Sequence, residues 1–496
     1  MPVAIIFDIG ATNIRTIAIS EKGKILSIAS RLNSVSDDPY YAGGKIWDIE
    51  QIWSKLKDCC REVVSSLSAN DIVSVTVTTF GVDGAPVDLN GNLLYPVISW
   101  ACERTIPVME ELKNSGFVKK AYSINGLQPM HYNTVSKILW LKQNRPDLFK
   151  KTYRWLLLPS IIIHRLTGEF VTDTSMAGTT MLTDQKRNFS KELLLECGIP
   201  EDFFPTLLEP GEKAGKINSQ ASKETFIPEN VPVIVTGHDT QFAVFGAGGN
   251  ESLPVLSSGT WEILFCRSKH FPSSEETLKA GVTSELDSKP GFFNSGIQWI
   301  ASGIVEWMKN LFYREYKDSS DIYNIMIDEA KSVKNGASGV FIHPAFFPGV
   351  GPSSFYSTKG TILGLTISST RKEILRSLFE SLAFQTREAL EILQRECKIN
   401  PAGLICTGGG SKNSLWNRLR ADITGIPLYV PEQTESTALG AAMFAFTGCG
   451  IYSSPEEARQ HMTGYVKTIE PSTEKDLYED NYQRFKKLGF ILKDLY

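Results

Sequence analysis

Short apolar runs separated by polar turns open the chain. Residues 3–7 are continuously apolar, which is typical of a strand buried on both faces of a sheet. Two β-branched runs follow over 15–20 and 25–30, each preceded by a turn that contains a glycine. The pattern predicts three successive strands. A dinucleotide-binding domain begins differently, because a helix follows its first glycine turn.

Apolar residues at helical spacing predict helices that begin near Ile49, span 134–143 and span 371–396. Further strands are predicted over 73–80, 231–235, 255–256, 261–266 and 403–407. Each of these strands, apart from 261–266, runs into a polar or glycine-rich turn. Alternating strands and helices predict an α/β fold.

The opening strand–turn–strand pattern recurs near residue 255. Residues 255–256 lead into the turn 257–260, and the strand 261–266 follows. Glycines cluster between the two copies, at 246, 248 and 249, which is typical of a boundary. We therefore expect two large domains in the 496 residues, covering 1–248 and 249–496.

Composition places the chain among ordinary globular proteins. Hydrophobic residues make up 42% and charged residues 21%, which excludes a disordered chain or a coiled-coil rod. With 51 basic and 55 acidic side chains the net charge is −4, so we expect neither a nucleic-acid nor a membrane partner. The N-terminus lacks the basic start of a signal peptide. The eight cysteines form no C-x-x-C pair, and we expect reduced thiols and a cytoplasmic location.

Several nucleotide and metal motifs are missing. The chain has no G-x-x-x-x-G-K-[ST] phosphate loop and no H-E-x-x-H metal motif. Any phosphate chemistry must therefore come from other turns.

One polar turn at the end of a predicted strand begins with Asp8. A carboxylate there suits Mg²⁺, which takes one or two carboxylates and keeps several waters, but Asp8 could equally cap its own turn. Thr12 and Asn13 follow and can face phosphate oxygens through their amides and side chains. Arg15 adds a positive charge and could equally be a surface residue.

Thr260 lies in the corresponding turn of the second half, which suggests a second phosphate-facing hairpin. Gly408, Gly409 and Gly410 end another strand, and consecutive glycines allow a backbone to approach a flat ligand such as adenine. A tight strand-to-helix turn would need the same residues.

Two further acids end strands. Asp239 could accept a proton from a sugar hydroxyl if burial raises its pKa, or it could cap a helix. Asp83 could accept hydrogen bonds from substrate hydroxyls, or it could be a turn residue. His238 could donate to a hydroxyl, or it could have a structural role.

Taken together, these turns resemble those of the FGGY carbohydrate kinases, over about residues 3–450. The matching strings are Asp8-Ile9-Gly10-Ala11-Thr12-Asn13-Ile14-Arg15, Gly237-His238-Asp239, Ser258-Gly259-Thr260-Trp261, Gly408-Gly409-Gly410-Ser411-x-Asn413 and Tyr132-x-Thr134-x-x-Lys137-Ile138-x-Trp140-Leu141.

The resemblance implies two actin-like (ribonuclease-H-like) ATPase domains that flank a catalytic cleft, with ATP and a small neutral ketose as substrates and Mg²⁺ as cofactor. It implies phosphorylation of the C1 hydroxyl of a deoxyketohexose, for which L-fuculose is our predicted substrate. The implied roles are Asp239 as catalytic base, Asp8 as metal ligand, Gly81, Asp83 and His238 as sugar-binding residues, and Thr12, Asn13, Arg15, Thr260, Gly408, Gly409, Gly410 and Asn413 as nucleotide-binding residues.

Alternatives remain open at this stage. The Gly81-Val82-Asp83 turn departs from the glycerol-kinase pattern, whereas L-rhamnulose or another ketose stays a competing substrate. An actin-like ATPase without sugar kinase activity would share the phosphate hairpins but would lack the Gly237-His238-Asp239 string. The oligomeric state is undetermined, a homodimer being one option.

Overall fold

The computed structural model describes residues 1–347, 350–352, 358–473 and 475–496. The chain divides into two compact units. The first contains Met1–Gly248, Ser284–Asn294 and Glu435–Thr463, and the second contains Gly249–Thr283, Ser295–Thr434 and Gly464–Tyr496. The first division falls within the glycine-rich stretch. The division expected from the sequence differs from this one in two segments, 284–294 and 435–463, which belong with the first unit.

The strands are β1 Val3–Ile9, β2 Asn13–Ser20, β3 Ile25–Leu32, β4 Ser36–Asp37, β5 Lys45–Trp47, β6 Ile72–Thr79, β7 Gly84–Val87, β8 Val97–Ile98, β9 Arg154–Leu157, β10 Val171–Asp173, β11 Thr206–Leu208, β12 Lys213–Lys216, β13 Pro232–His238, β14 Val255–Ser258, β15 Trp261–Ser268, β16 Thr283–Leu286, β17 Phe293–Ile300, β18 Phe341–His343, β19 Thr361–Leu363, β20 Leu404–Thr407, β21 Leu428–Pro431 and β22 Tyr465–Ile469.

The helices are α1 Ile49–Val64, α2 Ile106–Asn114, α3 Phe117–Asn125, α4 Thr134–Asn144, α5 Pro146–Lys151, α6 Leu158–Thr167, α7 Thr174–Gly178, α8 Lys191–Cys197, α9 Ser219–Thr225, α10 Asp239–Gly246, α11 Glu275–Lys279, α12 Ser302–Phe312, α13 Ile322–Lys331, α14 Arg371–Cys397, α15 Ser414–Thr424, α16 Ser436–Gly448, α17 Pro455–Met462 and α18 Glu479–Leu492. The predicted strands and helices are confirmed, with small differences at their ends.

The first unit is built on a six-stranded sheet in the order β12-β13-β6-β1-β2-β3. Strand β1 pairs antiparallel with β2 and parallel with β6, and β6 pairs parallel with β13. The carboxyl ends of β1, β6 and β13 therefore meet at one edge of the sheet. This is the edge at which α/β proteins build their sites.

Both faces of β1 are buried, which explains its continuous apolar sequence. Ile5 and Phe7 pack in a cluster that includes Trp53 and Leu56 of α1. Ala4 and Ile6 lie on the opposite face, in a cluster with residues of α10 and α16.

Helix α16 joins the first unit through close contact with α10. A Cβ atom on Gly440 would lie 2.0 Å from the carbonyl oxygen of Phe242, and one on Gly246 would lie 2.0 Å from that of Ser436. The two backbones can approach this closely only because both positions are glycine. The contact holds the segment 435–463 against the first unit.

The second unit repeats the strand pairing of the first. Strand β14 pairs antiparallel with β15 and parallel with β20, as β1 does with β2 and β6. Strands β21 and β22 continue the sheet beyond β20. The recurrence predicted from the sequence near residue 255 is therefore confirmed.

Among the described residues, no helix has the length and apolar character needed to cross a membrane. The eight cysteines are free thiols, and all except Cys449 are buried.

Candidate active site

Asp8 lies at the end of β1 and pairs with Arg15 of β2. The antiparallel register places the two residues opposite each other, and Arg15 Nε donates to Asp8 Oδ2 at 2.9 Å. Arg15 also forms an ion pair with Glu435. Burial raises the pKa of Asp8 to about 6 although Arg15 lowers it, and the nearby charge of Asp239 adds to the increase. Burial and the nearby Asp239 carboxylate thus both disfavour the ionised form of Asp8.

Asp239 is the first residue of α10 and directly follows β13. Its side chain is 29% exposed, and its Oδ1 accepts a hydrogen bond of 2.7 Å from the amide of Thr240. Loss of hydration in its protein surroundings raises the pKa of this carboxyl above the ordinary value of 3.8, although the charge of His238 lowers it. Asp239 thus combines access to solvent with a raised pKa, the two properties that a proton acceptor requires.

His238 lies beside Asp239 at the end of β13. Its Nε2 is 3.5 Å from Asp239 Oδ1, and its Nδ1 is 3.0 Å from Oε2 of Glu285 in β16. A Cβ atom on Gly81 would lie 3.1 Å from Nε2, so the absence of a side chain at Gly81 leaves room for the ring. The structure thus brings Gly81, His238 and Asp239 together.

The turn after β6 is held by buried groups. Val82 has a φ of 66°, an unfavourable conformation for a β-branched residue. Its carbonyl oxygen accepts hydrogen bonds from Thr134 Oγ1 at 2.8 Å and from Lys137 Nζ at 3.1 Å. Helix α4 therefore stabilises a strained turn next to Gly81.

Asp83 is fully buried, and its carboxylate already has three partners. Lys137 forms an ion pair with it, Trp47 Nε1 donates at 2.6 Å, and the amide of Trp100 donates at 3.0 Å. Burial raises the pKa of Asp83 and lowers that of Lys137, against their mutual attraction. The arrangement makes Asp83 part of the framework of the turn.

The first predicted phosphate turn is exposed and closed by hydrogen bonds. The amide of Gly10 donates to the carbonyl of Asn13 at 2.8 Å. Asn33, which directly follows β3, supports the turn, since its side chain donates to the carbonyl of Gly10 at 2.9 Å. The side chains of Thr12 and Asn13 remain exposed.

In the second unit, Thr260 is exposed in the turn between β14 and β15. Its carbonyl accepts hydrogen bonds from the amides of Ala301 and Gly303 at the start of α12, each 3.1 Å long. A fully buried ion pair between Glu262 and Arg420 lies beneath this turn, and Arg420 also donates to Ser258 Oγ at 2.8 Å.

The three glycines after β20 differ in their surroundings. Gly408 has a φ of 81°, and a Cβ on Gly410 would lie 2.0 Å from Ser258 Oγ. A Cβ on Gly409 would meet nothing within 4 Å. Asn413 caps α15, since its Oδ1 accepts a hydrogen bond of 3.0 Å from the amide of Trp416. Gly409 is therefore the glycine that faces open space.

Two family models match this chain. The N-terminal domain of the FGGY family of carbohydrate kinases matches residues 3–246, and its C-terminal domain matches residues 255–449. An L-fuculokinase of Haemophilus influenzae is 41% identical over 95% of this chain and 100% of its own length. The L-fuculokinase of Escherichia coli K12 is 40% identical over 96% and 99%.

The chain belongs to the FGGY family of carbohydrate kinases. Among solved structures, a xylulose kinase from Rhodospirillum rubrum is similar with a TM-score of 0.90 and 21% identity, over 99% of each chain. The fold is thus the two-domain, actin-like α/β fold of the FGGY kinases. This membership favours the kinase over an ATPase without sugar kinase activity. FGGY kinases use ATP together with a divalent metal ion.

The sequence predicted exposed candidate residues at the ends of strands but gave no sign of the buried groups that support them. Lys137 lies in the quoted string Tyr132–Leu141, yet nothing in that string signalled its pairing with Asp83. Glu285, Glu435 and Arg420 carried no signal, because each pairs with a residue of a segment distant in sequence.

Proposed function

We propose that this FGGY kinase transfers the γ-phosphate of ATP to the C1 hydroxyl of L-fuculose and so forms L-fuculose 1-phosphate. The observation that carries the proposal is the partly exposed Asp239, with its raised pKa, next to His238 and Gly81 at the end of β13. The choice of sugar is supported by L-fuculokinases that are 40–41% identical over nearly the whole length of both chains.

In this proposal Asp239 acts as the general base. It accepts the proton of the C1 hydroxyl as that oxygen attacks the γ-phosphorus, and His238 donates a hydrogen bond to the sugar. Because Gly81 has no side chain, space remains beside the His238 ring for the sugar. Phosphoryl transfer requires mainly positioning and charge stabilisation, so these few groups are sufficient on the acceptor side.

Asp83 contributes indirectly. Since Lys137, Trp47 and Trp100 already bind its carboxylate, we propose that it fixes the Gly81–Val82 turn beside the sugar instead of binding the sugar itself.

Asp8 is proposed to hold Mg²⁺. The negative charge of Asp239 repels the Asp8 carboxylate, and a divalent cation would offset that repulsion. Mg²⁺ commonly binds through one or two carboxylates together with substrate phosphates, which suits a single acid at a strand end. When bound, the ion would neutralise charge on the phosphates. Arg15 keeps Asp8 in place and balances its charge.

Each predicted nucleotide-binding turn exposes groups suited to its proposed role. Thr12 and Asn13 in the first unit and Thr260 in the second are exposed hydroxyl and amide groups suited to phosphate oxygens. Gly409 borders the adenine, with Gly408 and Gly410 shaping the turn. We propose that Asn413 acts by capping α15 and that Arg15 acts through its ion pair with Asp8.

Replacing Gly409 by alanine is expected to raise the KM for ATP about tenfold without lowering stability. The added methyl group meets no protein atom but enters the space assigned to adenine. Steady-state kinetics with ATP and with the sugar varied in turn test this, and the KM for the sugar should not change. The contrasting Gly410→Ala should destabilise the fold, because its Cβ would clash with Ser258. An unchanged KM for ATP in Gly409→Ala would refute the adenine assignment.

The pH dependence of kcat/KM should show an acid limb set by Asp239. The ionised carboxylate is the active form, so activity is lost as pH falls through its pKa. Since surrounding protein raises that pKa, the midpoint should lie above the ordinary aspartate value of 3.8. Rates measured at saturating metal and ATP, down to the pH at which the protein unfolds, test this. A midpoint at or below 3.8 would contradict the role of Asp239.

The substrate is tested by measuring ADP release over a panel of L-fuculose, L-rhamnulose, D-ribulose, L-xylulose and glycerol. We expect the highest kcat/KM with L-fuculose. A clear preference for L-rhamnulose or another member would overturn the named sugar and leave the family assignment intact. ATP hydrolysis that ignores every sugar would overturn the kinase function.

The free thiols of the eight cysteines support a further proposal, that the protein works in the reducing environment of the cytoplasm.

A further inference from the structure

Glu285 belongs to a short segment that packs with a different unit from the residues before and after it. Residues 284–294 join the first unit, whereas the chain on either side belongs to the second. Strand β16 carries the Glu285 carboxylate to 3.0 Å from Nδ1 of His238. The Glu285 side chain is 14% exposed and the His238 side chain 12%. The contact is an ion pair whose geometry is not that of an aligned hydrogen bond.

A chain of buried amides fixes the Glu285 carboxylate. Gln241 Nε2 donates to Glu285 Oε2 at 2.5 Å, and Gln241 Oε1 accepts from Asn294 Nδ2. Asn294 Nδ2 in turn donates to Asp287 Oδ2 at 2.8 Å. Gln241, Asn294 and Asp287 are fully buried. The carboxylate is thus held in one orientation by groups that cannot easily rearrange.

This geometry gives the two ring nitrogens of His238 different surroundings. Nδ1 faces Glu285, whereas Nε2 faces Asp239 and the space beside Gly81. We propose that Glu285 is a positioning residue for the reaction: it keeps His238 as a doubly protonated cation and aims its Nε2–H at the sugar and at Asp239. The sugar part of this inference rests on the proposed function.

The charges of three carboxylates from different elements act on the His238 ring. Glu285 lies on β16, Asp239 begins α10, and Asp173 ends β10. Burial disfavours the charged ring, but these carboxylates outweigh burial and raise the pKa of His238 to about 9. The cation in turn lowers the pKa of Asp239, against the effect of burial. Glu285 therefore influences the base in two ways: its own charge raises the pKa of Asp239, and it stabilises the His238 cation that lowers that pKa.

The test compares the wild type with Glu285→Gln, using protein labelled with ¹⁵N in its histidines. The spectrum of His238→Gln identifies the His238 signal among the six histidines. We expect a midpoint near 9 for His238 in the wild type and a midpoint at least one pH unit lower in Glu285→Gln. The same variant should raise the KM for the sugar about tenfold and leave the KM for ATP unchanged. It should shift the acid limb of kcat/KM to lower pH, because the Glu285 charge raises the pKa of Asp239 while His238 stays protonated in that range.

Glu224→Gln is the matched control. Glu224 is also partly buried in the first unit, but it pairs with Trp53 and Lys57. We expect it to keep the wild-type histidine titration and kinetics. Glu285→Asp retains the charge at a greater distance, and it decides the question if Glu285→Gln does not fold: a partial fall of the His238 midpoint supports the inference.

An unchanged His238 midpoint in Glu285→Gln, or in Glu285→Asp if that is the variant that folds, would overturn the inference. A shifted midpoint with an unchanged KM and acid limb would overturn it as well. Failure of the proposed function looks different, because the wild type itself would then phosphorylate no ketose, while the histidine titration would still report on the ion pair.

Discussion

Replacing Asp239 by asparagine is expected to lower kcat about 10³-fold, the largest kinetic effect that we predict. General base catalysis contributes about 10² to 10⁴ in rate, and asparagine cannot accept the proton of the sugar hydroxyl. The asparagine oxygen can still accept the hydrogen bond from the amide of Thr240, so the start of α10 should be preserved. Burial disfavours the ionised carboxylate, so its loss should not lower the free energy of unfolding.

The measurement is the steady-state rate of ADP release at saturating sugar and ATP, together with a thermal unfolding curve. Asp147→Asn serves as a control, since Asp147 is 60% exposed and belongs to α5. Retention of more than a tenth of the wild-type rate by a folded Asp239→Asn protein would show that another group removes the proton.

Replacing Lys137 by methionine is expected to lower the free energy of unfolding by about 3–5 kcal/mol, the largest stability effect that we predict. The substitution leaves the Asp83 carboxylate fully buried with no cation beside it. It also removes a hydrogen bond to Val82, whose positive φ depends on such support. We therefore expect the KM for the sugar to rise as well.

A double-mutant cycle separates the ion pair from packing. Urea unfolding should be measured for Lys137→Met, Asp83→Asn and the double variant. The double variant should recover more than half of the stability lost in Lys137→Met, because asparagine removes the buried charge and can still accept from Trp47. Additive losses would contradict a coupled pair. So would a loss below about 1 kcal/mol in Lys137→Met, which is the range of exposed ion pairs.

The hairpins of this fold were predictable because their signals are local. The apolar run of β1 and the turn from Asp8 to Asn13 are contiguous, and the same pattern at β14 and β15 revealed the second unit. The positions of Asp239 at the end of β13 and of Gly409 after β20 follow from the same rule, that strands end in polar turns.

The supporting interactions were not predictable, because each joins residues far apart in sequence. Asp83 and Lys137 are separated by 54 residues, and Glu262 and Arg420 by 158. Patterns along a chain report which residues are buried, but they do not report which buried charges meet. For the same reason the sequence did not show that segments 284–294 and 435–463 belong to the first unit. Their placement depends on tertiary packing, such as that of Gly440 against Phe242.

The central claim is that phosphate is transferred to the C1 hydroxyl of L-fuculose. The most direct test is a ¹H–³¹P correlation spectrum of the product formed from ATP and L-fuculose with Mg²⁺. Our account predicts a phosphorus signal coupled to both C1 protons of the sugar. Inorganic phosphate as the only new phosphorus species besides ADP, or a phosphate coupled to another carbon position, would contradict it.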